Sequence, residues 1–293
     1  MLKPYKRGTP LPEHLEPLFK RFNPTEKQIA AGNNPWTGVM VDDDPDAQIL
    51  ATGFDVAGRK QRIYSSTHHA GQKEEKFERV RNLLSQWEDI RTQIEADINR
   101  LSRGKPRPWT REEKKTYESA LIAMLIYETG IRPGSNTDTL AQVKAYGATT
   151  LLLKHVKPCP RGVRLQFIGK KGVKQNVLVT NPYLVRVFLK RKRATTAYTT
   201  PLFEYGVGAL RDYFKQLGSG EFTPKDFRTA VGTSLALEIL GSRKRIPKTK
   251  SARRVVVNAA LDKVCAKLGN TRGIAKNSYV APEILERFLP SET

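Results

Sequence analysis

The chain is poor in cysteine and in long apolar runs. Its 293 residues include two cysteines, Cys159 and Cys265, which are too few for a disulfide framework or a cysteine-based zinc site. We therefore expect a reducing compartment. The longest strongly apolar run, residues 120–127, is far too short to cross a bilayer. No apolar region follows the positively charged residues 1–6, so no signal peptide is predicted.

Several catalytic patterns are missing as well. No Gly-x-x-x-x-Gly-Lys-Ser/Thr phosphate-binding loop occurs. The histidines and cysteines show no zinc-ligand spacing, and the second half of the chain has no carboxylate cluster of the kind that a two-metal nuclease needs. We therefore expect neither a metal ion nor a cofactor.

Acidic side chains are scarce, but only in one part of the chain. Fifty-one Lys and Arg residues against 29 Asp and Glu residues give a net charge of +22. Residues 1–100 hold 15 of each sign, so the whole excess lies in residues 101–293, and residues 151–200 contain twelve basic and no acidic residues. Such uneven charge is typical of proteins that bind a polyanion. A ribosomal or membrane-surface protein is the alternative, but no basic amphipathic helix with a lipid-facing side is evident, which favours nucleic acid.

The first part of the chain is predicted to be rich in strands. Strands are expected at residues 36–41, 49–54 and 61–64, and the acidic run 42–46 is interpreted as a solvated turn. Apolar residues then recur at helical spacing and predict one long amphipathic helix: Phe77, Val80, Leu84, Trp87, Ile94, Ile98 and Leu101. Two prolines and a glycine in residues 102–109 indicate a linker. The predicted domains are therefore residues 1–104 and 105–293.

The second domain is predicted to be mainly helical, which makes the fold class α+β. Thr110 and Glu113 form a capping box for a helix that Gly130 ends. Residues 163–167 and 177–179 alternate like the strands of a hairpin with a Lys170-Lys171-Gly172 turn. Further helices are expected after Asn181-Pro182 and Thr223-Pro224, and one more at residues 255–268, before Gly269.

Cleavage of a phosphodiester without metal needs a nucleophile, cations for the charged transition state and an acid for the leaving oxygen. Four residues in distinctive contexts could supply these groups. Arg132 lies in a Gly/Pro-rich turn after a helix, Lys170 on the hairpin, Arg228 in the first turns of a helix and Tyr279 near the carboxyl end. Each has an ordinary explanation when taken singly, since Tyr279 is one of ten tyrosines.

Taken in order, these segments resemble the small type IB DNA topoisomerases of poxviruses and bacteria. The catalytic set of that family runs arginine, hairpin lysine, arginine, histidine, tyrosine. Its Gly-x-Arg-x-Gly, Phe-x-Gly-Lys, Lys-Asp-Phe-Arg-Thr and Ser-Tyr contexts correspond to Arg132, Lys170, Arg228 and Tyr279. The resemblance implies that Lys225 and Lys171 contact DNA, although it leaves open whether Lys170 or Lys171 is the acid.

The amino-terminal part also resembles this family. Residues 51–64 are similar to its Ala-Thr-Gly-x-Asp-x-x-Gly-Arg-Lys-Gln-Tyr segment, which implies DNA contacts by Lys60, Gln61, Arg62 and Tyr64. Arg62 stands where the family usually has a base-reading tyrosine, and arginine suits either guanine or phosphate. A second departure is Asn270, which occupies the place of the family's histidine. Asparagine can donate a hydrogen bond to a phosphate oxygen but cannot transfer a proton.

The resemblance covers most of residues 36–290 and implies a small β-rich domain and a larger helical catalytic domain of the tyrosine recombinase/topoisomerase IB type, which clamp duplex DNA as a monomer. It implies relaxation of supercoiled DNA through a 3′-phosphotyrosine at Tyr279, without ATP or metal. Tyrosine recombinases and a catalytically impaired DNA-binding protein of the same fold are the alternatives. The expected location is the cytoplasm or nucleoid of a bacterium, or the virion or host DNA compartment of a virus, and not outside the cell.

Overall fold

The computed structural model describes residues 1–6, 9–18, 35–102, 108–135, 143–243 and 245–289. The chain divides into two compact units, Met1–Lys76 and Phe77–Thr293. The predicted domain boundary at 104/105 lies in residues 103–107, outside the described residues. Within the described ranges, no helix is both long and apolar enough to span a membrane.

The first unit is built on an antiparallel sheet of four strands in the order β1-β2-β3-β4. These are β1 (Lys3–Pro4), β2 (Thr37–Val41), β3 (Ile49–Phe54) and β4 (Lys60–Tyr64). The three predicted strands are confirmed to within one residue, and β1 is an addition. The Asp42 side chain is 8% exposed and pairs with the amino-terminal NH₃⁺ at 2.9 Å. The interpretation of residues 42–46 as a solvated turn was therefore wrong at Asp42, which is buried. The charge of the amino terminus compensates the cost of burying this carboxylate.

The predicted single long helix is two helices, α1 (Ser66–Ser85) and α2 (Trp87–Ser102). The chain turns at Gln86, whose Oε1 accepts hydrogen bonds from Ser219 N at 2.8 Å and Ser219 Oγ at 2.9 Å. The apolar stripe continues across the break and is buried at Val80 and Ile94. Periodicity alone therefore missed the interruption, where Gln86 contacts a residue distant in sequence.

Helix α3 (Arg111–Thr129) is the centre of the second unit. The predicted capping box of Thr110 and Glu113 is confirmed, and Gly130 ends the helix with φ 65°. Nearly every residue from Tyr117 onward is buried, as expected of a helix that is apolar on all sides. Around it pack α2, α4 (Pro182–Arg193), α5 (Val207–Phe214) and α6 (Pro224–Gly241).

A three-stranded antiparallel sheet, in the order β5-β6-β7, also belongs to this unit. Its strands are β5 (Val156–Cys159), β6 (Gly162–Ile168) and β7 (Lys174–Val179). The predicted hairpin is β6-β7, and β5 was not predicted. The turn between β6 and β7 is a short 3₁₀ helix, Lys170–Gly172, in which Lys171 has φ 62°.

The carboxyl-terminal part adds α7 (Lys250–Leu268), α8 (Arg272–Ser278) and α9 (Pro282–Glu286). Helix α7 starts earlier than its apolar pattern suggested, because the Thr249 side chain accepts from Ala252 N and caps it. Gly269 ends α7 as predicted, with φ 62°. A small sheet-based unit and a larger, mainly helical unit confirm the α+β fold class.

Candidate active site

Arg132 lies in an extended segment directly after α3. A neighbouring segment holds its backbone, since Ala148 N donates to Arg132 O and Thr149 N to Pro133 O, both at 2.8 Å. The two segments touch so closely that a Cβ on Gly147 would lie 2.6 Å from Arg132 O. Main-chain contacts with residues 147–149 therefore fix the backbone position of Arg132.

Arg228, on α6, is buried between the carboxyl ends of two helices. It donates from Nη1 to the carbonyl of Gly130, the cap of α3, and from Nη2 to the carbonyl of Leu268, the last residue of α7, at 2.5 Å. Helix carboxyl ends have unpaired carbonyls and partial negative charge. They therefore offset much of the cost of burying this guanidinium, which is 3% exposed.

Tyr279 follows α8 and is 5% exposed. Its main chain rests on α6, where the Thr233 hydroxyl donates to Tyr279 O at 3.2 Å and accepts from Ala281 N at 3.3 Å. A Cβ on Gly232 would lie 2.6 Å from Tyr279 O, so only glycine permits this approach. Thr233 and Gly232, which are distant from Tyr279 in sequence, thereby fix the position of its main chain.

The two arginines converge on the tyrosine. Arg132 Nη1 donates to Tyr279 Oη at 3.1 Å, and the Arg228 guanidinium carbon lies 4.8 Å from the centre of the ring. Burial by itself raises the pKa of the Tyr279 phenol, but the charges and hydrogen bonds of Arg228 and Arg132 outweigh it and lower that pKa. Burial also lowers the pKa of Arg228, and the phenol partly opposes this shift. The arrangement favours the deprotonated oxygen of a nucleophile.

Lys170 is exposed at the β6-β7 turn. It lines a small, partly open pocket together with both arginines. The other lining residues are Ile131, Tyr146, Phe167, Gly169, Gln175, Leu268 and Gly269. Lys171 is not among them and instead adopts the left-handed conformation of the turn.

Asn270 follows Gly269, which lines the pocket where Asn270 itself does not. Both amide atoms of its side chain are buried and have no hydrogen-bond partner among the described residues. The side chain therefore does not cap α7, and only the Asn270 main-chain N reaches Cys265 O, at 3.4 Å. A buried amide without hydrogen bonds lowers the stability of the fold, so the Asn270 side chain is available to bind a ligand.

The structure thus brings Arg132, Lys170 and Arg228 to one pocket and places Tyr279 in contact with both arginines. Lys225 is exposed in the first turn of α6, three residues before Arg228. The remaining predicted DNA contacts lie on β4, in the first unit. Lys60, Arg62 and Tyr64 alternate along that strand and share one face.

Gln61 points to the other face of β4, where its amide donates to Asp55 Oδ2 at 2.8 Å. Tyr64 stacks on His68, with ring centroids 4.9 Å apart. The edge position of β4 leaves one side of the strand without a partner strand in this sheet. In the described part of the chain, no group of three His, Cys, Asp or Glu side chains is arranged to hold a metal ion.

Sequence reasoning missed Gln175, Thr233 and the helix-end carbonyls that bind Arg228. A glycine inside a helix, Gly232, was the one available signal of a close approach. Carbonyl groups carry no sequence identity, and Gln175 stands on a strand with no motif around it.

A buried tyrosine between two arginines, in a strongly basic chain, is suited to attack a phosphodiester. The family model of the eukaryotic DNA topoisomerase I catalytic core matches residues 65–288. The DNA topoisomerase 1B of Acanthamoeba polyphaga mimivirus is 28% identical over 266 residues, which cover 86% of this chain and 76% of the viral protein.

The chain therefore belongs to the DNA topoisomerase I family, the type IB enzymes. This confirms the predicted resemblance, the enzyme class of isomerase and DNA as the partner. It also selects a topoisomerase over a tyrosine recombinase.

Proposed function

We propose that Tyr279 is the nucleophile with which this topoisomerase cuts one strand of duplex DNA. The phenol oxygen attacks the scissile phosphorus and loses its proton to solvent, while the bond from phosphorus to the 5′-oxygen breaks. Lys170 gives a proton to the departing 5′-oxygen. The strand is then held as a 3′-phosphotyrosine, and supercoils are released while the free end rotates.

Resealing is the reverse reaction. The 5′-hydroxyl attacks the phosphotyrosine and returns its proton to Lys170, while Tyr279 leaves. The bond energy stays in the covalent link, so ATP is not required. Arg132 and Arg228 bind the non-bridging oxygens, and Asn270 donates a further hydrogen bond there. Lys60, Arg62, Tyr64, Lys171 and Lys225 contact the duplex. Gln61 lies on the other face of β4, where its amide binds Asp55.

The observation that carries this proposal is the contact between Arg132 Nη1 and Tyr279 Oη, with Arg228 against the same ring. Two fixed cations stabilise both the attacking oxygen and the charge that develops on the phosphate, and such preorganised groups are usually the largest contribution to catalysis. Arginine suits this role because its fork can bind two phosphate oxygens.

The role of Lys170 is supported by its place in the pocket, which Lys171 does not line. Lys171 has a positive φ, which glycine adopts without strain. Lys171→Gly therefore preserves the turn and is the matched control for Lys170→Ala. We expect Lys170→Ala to slow cleavage about 10²–10⁴-fold, the usual contribution of a general acid, and Lys171→Gly to weaken DNA binding with a smaller effect on the rate.

The proposed enzyme acts as a monomer on double-stranded DNA, without metal or cofactor, in a compartment that contains DNA. All the proposed catalytic groups belong to one compact unit of one chain, which supports a monomer. Relaxation activity should then be proportional to enzyme concentration, and sedimentation should give the mass of one chain.

The decisive experiment is relaxation of supercoiled plasmid in EDTA without ATP, combined with detection of a covalent adduct on DNA. Tyr279→Phe keeps the ring between the arginines and removes only the nucleophilic oxygen, so we expect DNA binding without adduct or relaxation. Tyr198→Phe, at an exposed tyrosine, is the control and should behave like the parent. An adduct formed by Tyr279→Phe would show that another residue is the nucleophile.

A further inference from the structure

Gln175 on β7 packs against the two glycines that directly precede Lys170 and Asn270. A Cβ built on Gly169 would lie 3.2 Å from Gln175 Cγ. A Cβ on Gly269 would lie 2.4 Å from Gln175 Nε2 and 2.8 Å from Oε1. The aliphatic stem of Gln175 therefore covers the first glycine, and its amide covers the second.

A side chain would be strained at Gly269 and would fit tightly at Gly169. Gly269 has φ 62°, which disfavours any other residue, and a Cβ there would displace the Gln175 amide. Gly169 closes the hairpin turn, since its N donates to Val173 O and its O accepts from Gly172 N. The Gln175 side chain thus connects the turn that carries Lys170 with the turn that carries Asn270.

Lys170 needs such support. Its side chain is exposed and has four rotatable bonds, whose ordering costs rotamer entropy. A proton donor must also lie within hydrogen-bond reach of the leaving oxygen. Fixing the turn against α7 restricts where the lysine can reach, and Gln175 is the pocket-lining side chain that makes this link.

We propose that Gln175 is a positioning residue, which docks the Lys170 turn onto the Gly269-Asn270 turn so that the general acid faces the scissile phosphate. This inference rests on the proposed function, in which Lys170 protonates the 5′-oxygen. Gln175 acts through Lys170 and has no part in binding the nucleophile.

The test compares two substrates in single-turnover cleavage by the full chain. One has the normal 5′-bridging oxygen and the other has sulfur at that position, which leaves without a general acid. Misplacement of a catalytic group by about 1 Å can cost on the order of 10²-fold. We therefore expect Gln175→Ala to be about 10²-fold slower on the oxygen substrate and nearly equal to the parent on the sulfur substrate.

Gln166→Ala is the matched control, because Gln166 is an exposed glutamine on the partner strand of the same hairpin. It should cleave both substrates like the parent. Gln175→Met keeps the length of the side chain and should recover most of the rate, which also guards against a folding defect in Gln175→Ala. The double variant Lys170→Ala/Gln175→Ala should be no slower than Lys170→Ala alone.

Equal slowing of Gln175→Ala on both substrates would overturn the inference, as would additive losses in the double variant. If sulfur rescues Lys170→Ala but not Gln175→Ala, the inference fails and the proposed function stands. If sulfur does not rescue Lys170→Ala, the assignment of the general acid fails, and the inference fails with it.

Discussion

Asn270→Ala should separate catalysis from stability, because the two effects have opposite signs. In the free protein neither amide atom has a hydrogen-bond partner among the described residues. The substitution therefore removes no native side-chain hydrogen bond. It also removes a buried unsatisfied polar group, which typically costs about 1–3 kcal/mol, at the expense of a small cavity. The melting temperature should stay constant or rise.

The rate should move the other way. If the amide donates to a non-bridging oxygen in the transition state, its loss costs about 10²–10³ in rate, the usual effect of removing one preorganised donor. Cleavage and resealing cross the same transition state, so both should slow by the same factor. Asn270→His restores the histidine that the family resemblance implies, and it should match or exceed the parent rate, with a new pH dependence near neutrality.

Single-turnover cleavage, single-turnover resealing and thermal melting of each variant make the assay. Asn258→Ala, at an exposed asparagine on α7, is the control and should leave all three measurements unchanged. A lower melting temperature with an unchanged cleavage rate would refute the reasoning, because it would mean that Asn270 supports the turn and not the transition state.

Three further predictions concern other parts of the chain. Lys225→Gln should reduce the steepness of log K for DNA binding against log salt concentration by about 0.9, the contribution of one phosphate contact on duplex DNA. Binding titrations at several salt concentrations measure this slope, and an unchanged slope would show that Lys225 makes no phosphate contact. Burial lowers the pKa of His155 to about 4, below its unfolded value of about 6.5. The unfolded chain therefore binds one more proton, and stability should fall as the pH drops from 6.5 to 4. His155→Gln should reduce this fall when melting temperatures are measured across that pH range, and an unaltered pH dependence would contradict a lowered pKa at His155. Arg191 forms a bidentate ion pair with the buried carboxylate of Glu118. Arg191→Ala should therefore lower the free energy of unfolding, measured in urea, by about 3 kcal/mol, the lower end for a buried pair that loses one partner. A change within error would show that water replaces the arginine.

The sequence carried enough information to predict the local structure around the site. Thr110 and Glu113 set the start of α3, Gly130 set its end, and Gly269 ended α7, because capping chemistry depends on residues that are adjacent in the chain. The break at Gln86 could not be predicted in this way. Apolar periodicity continues through it, and Gln86 is held by Ser219, a residue distant in sequence.

The candidate residues could be ordered along the chain, but their mutual geometry could not be derived from that order. Arg228 was predicted as one of the cations for the charged transition state, and no pattern indicated that main-chain carbonyls of Gly130 and Leu268 would bind it. Thr233 belongs to no motif in the sequence, and only the fold shows its hydroxyl bridging the main chain around Tyr279. A main-chain carbonyl accepts hydrogen bonds whatever its residue type, so motifs do not reveal these bonds.

The same backbone contacts explain how a charge can be ready beside the tyrosine before DNA arrives. Burying a guanidinium has a large desolvation penalty, which the two helix-end carbonyls offset when the chain folds. This penalty is therefore not part of the activation free energy of each catalytic cycle. They occupy Nη1 and Nη2 of Arg228 on the protein side, while its buried Nε has no partner among the described residues. Asn270, two residues after Leu268, has the same kind of buried donor without a partner among the described residues. Stability alone would favour satisfying or removing both donors, and the phosphate oxygens of the proposed substrate would supply the partners that both lack.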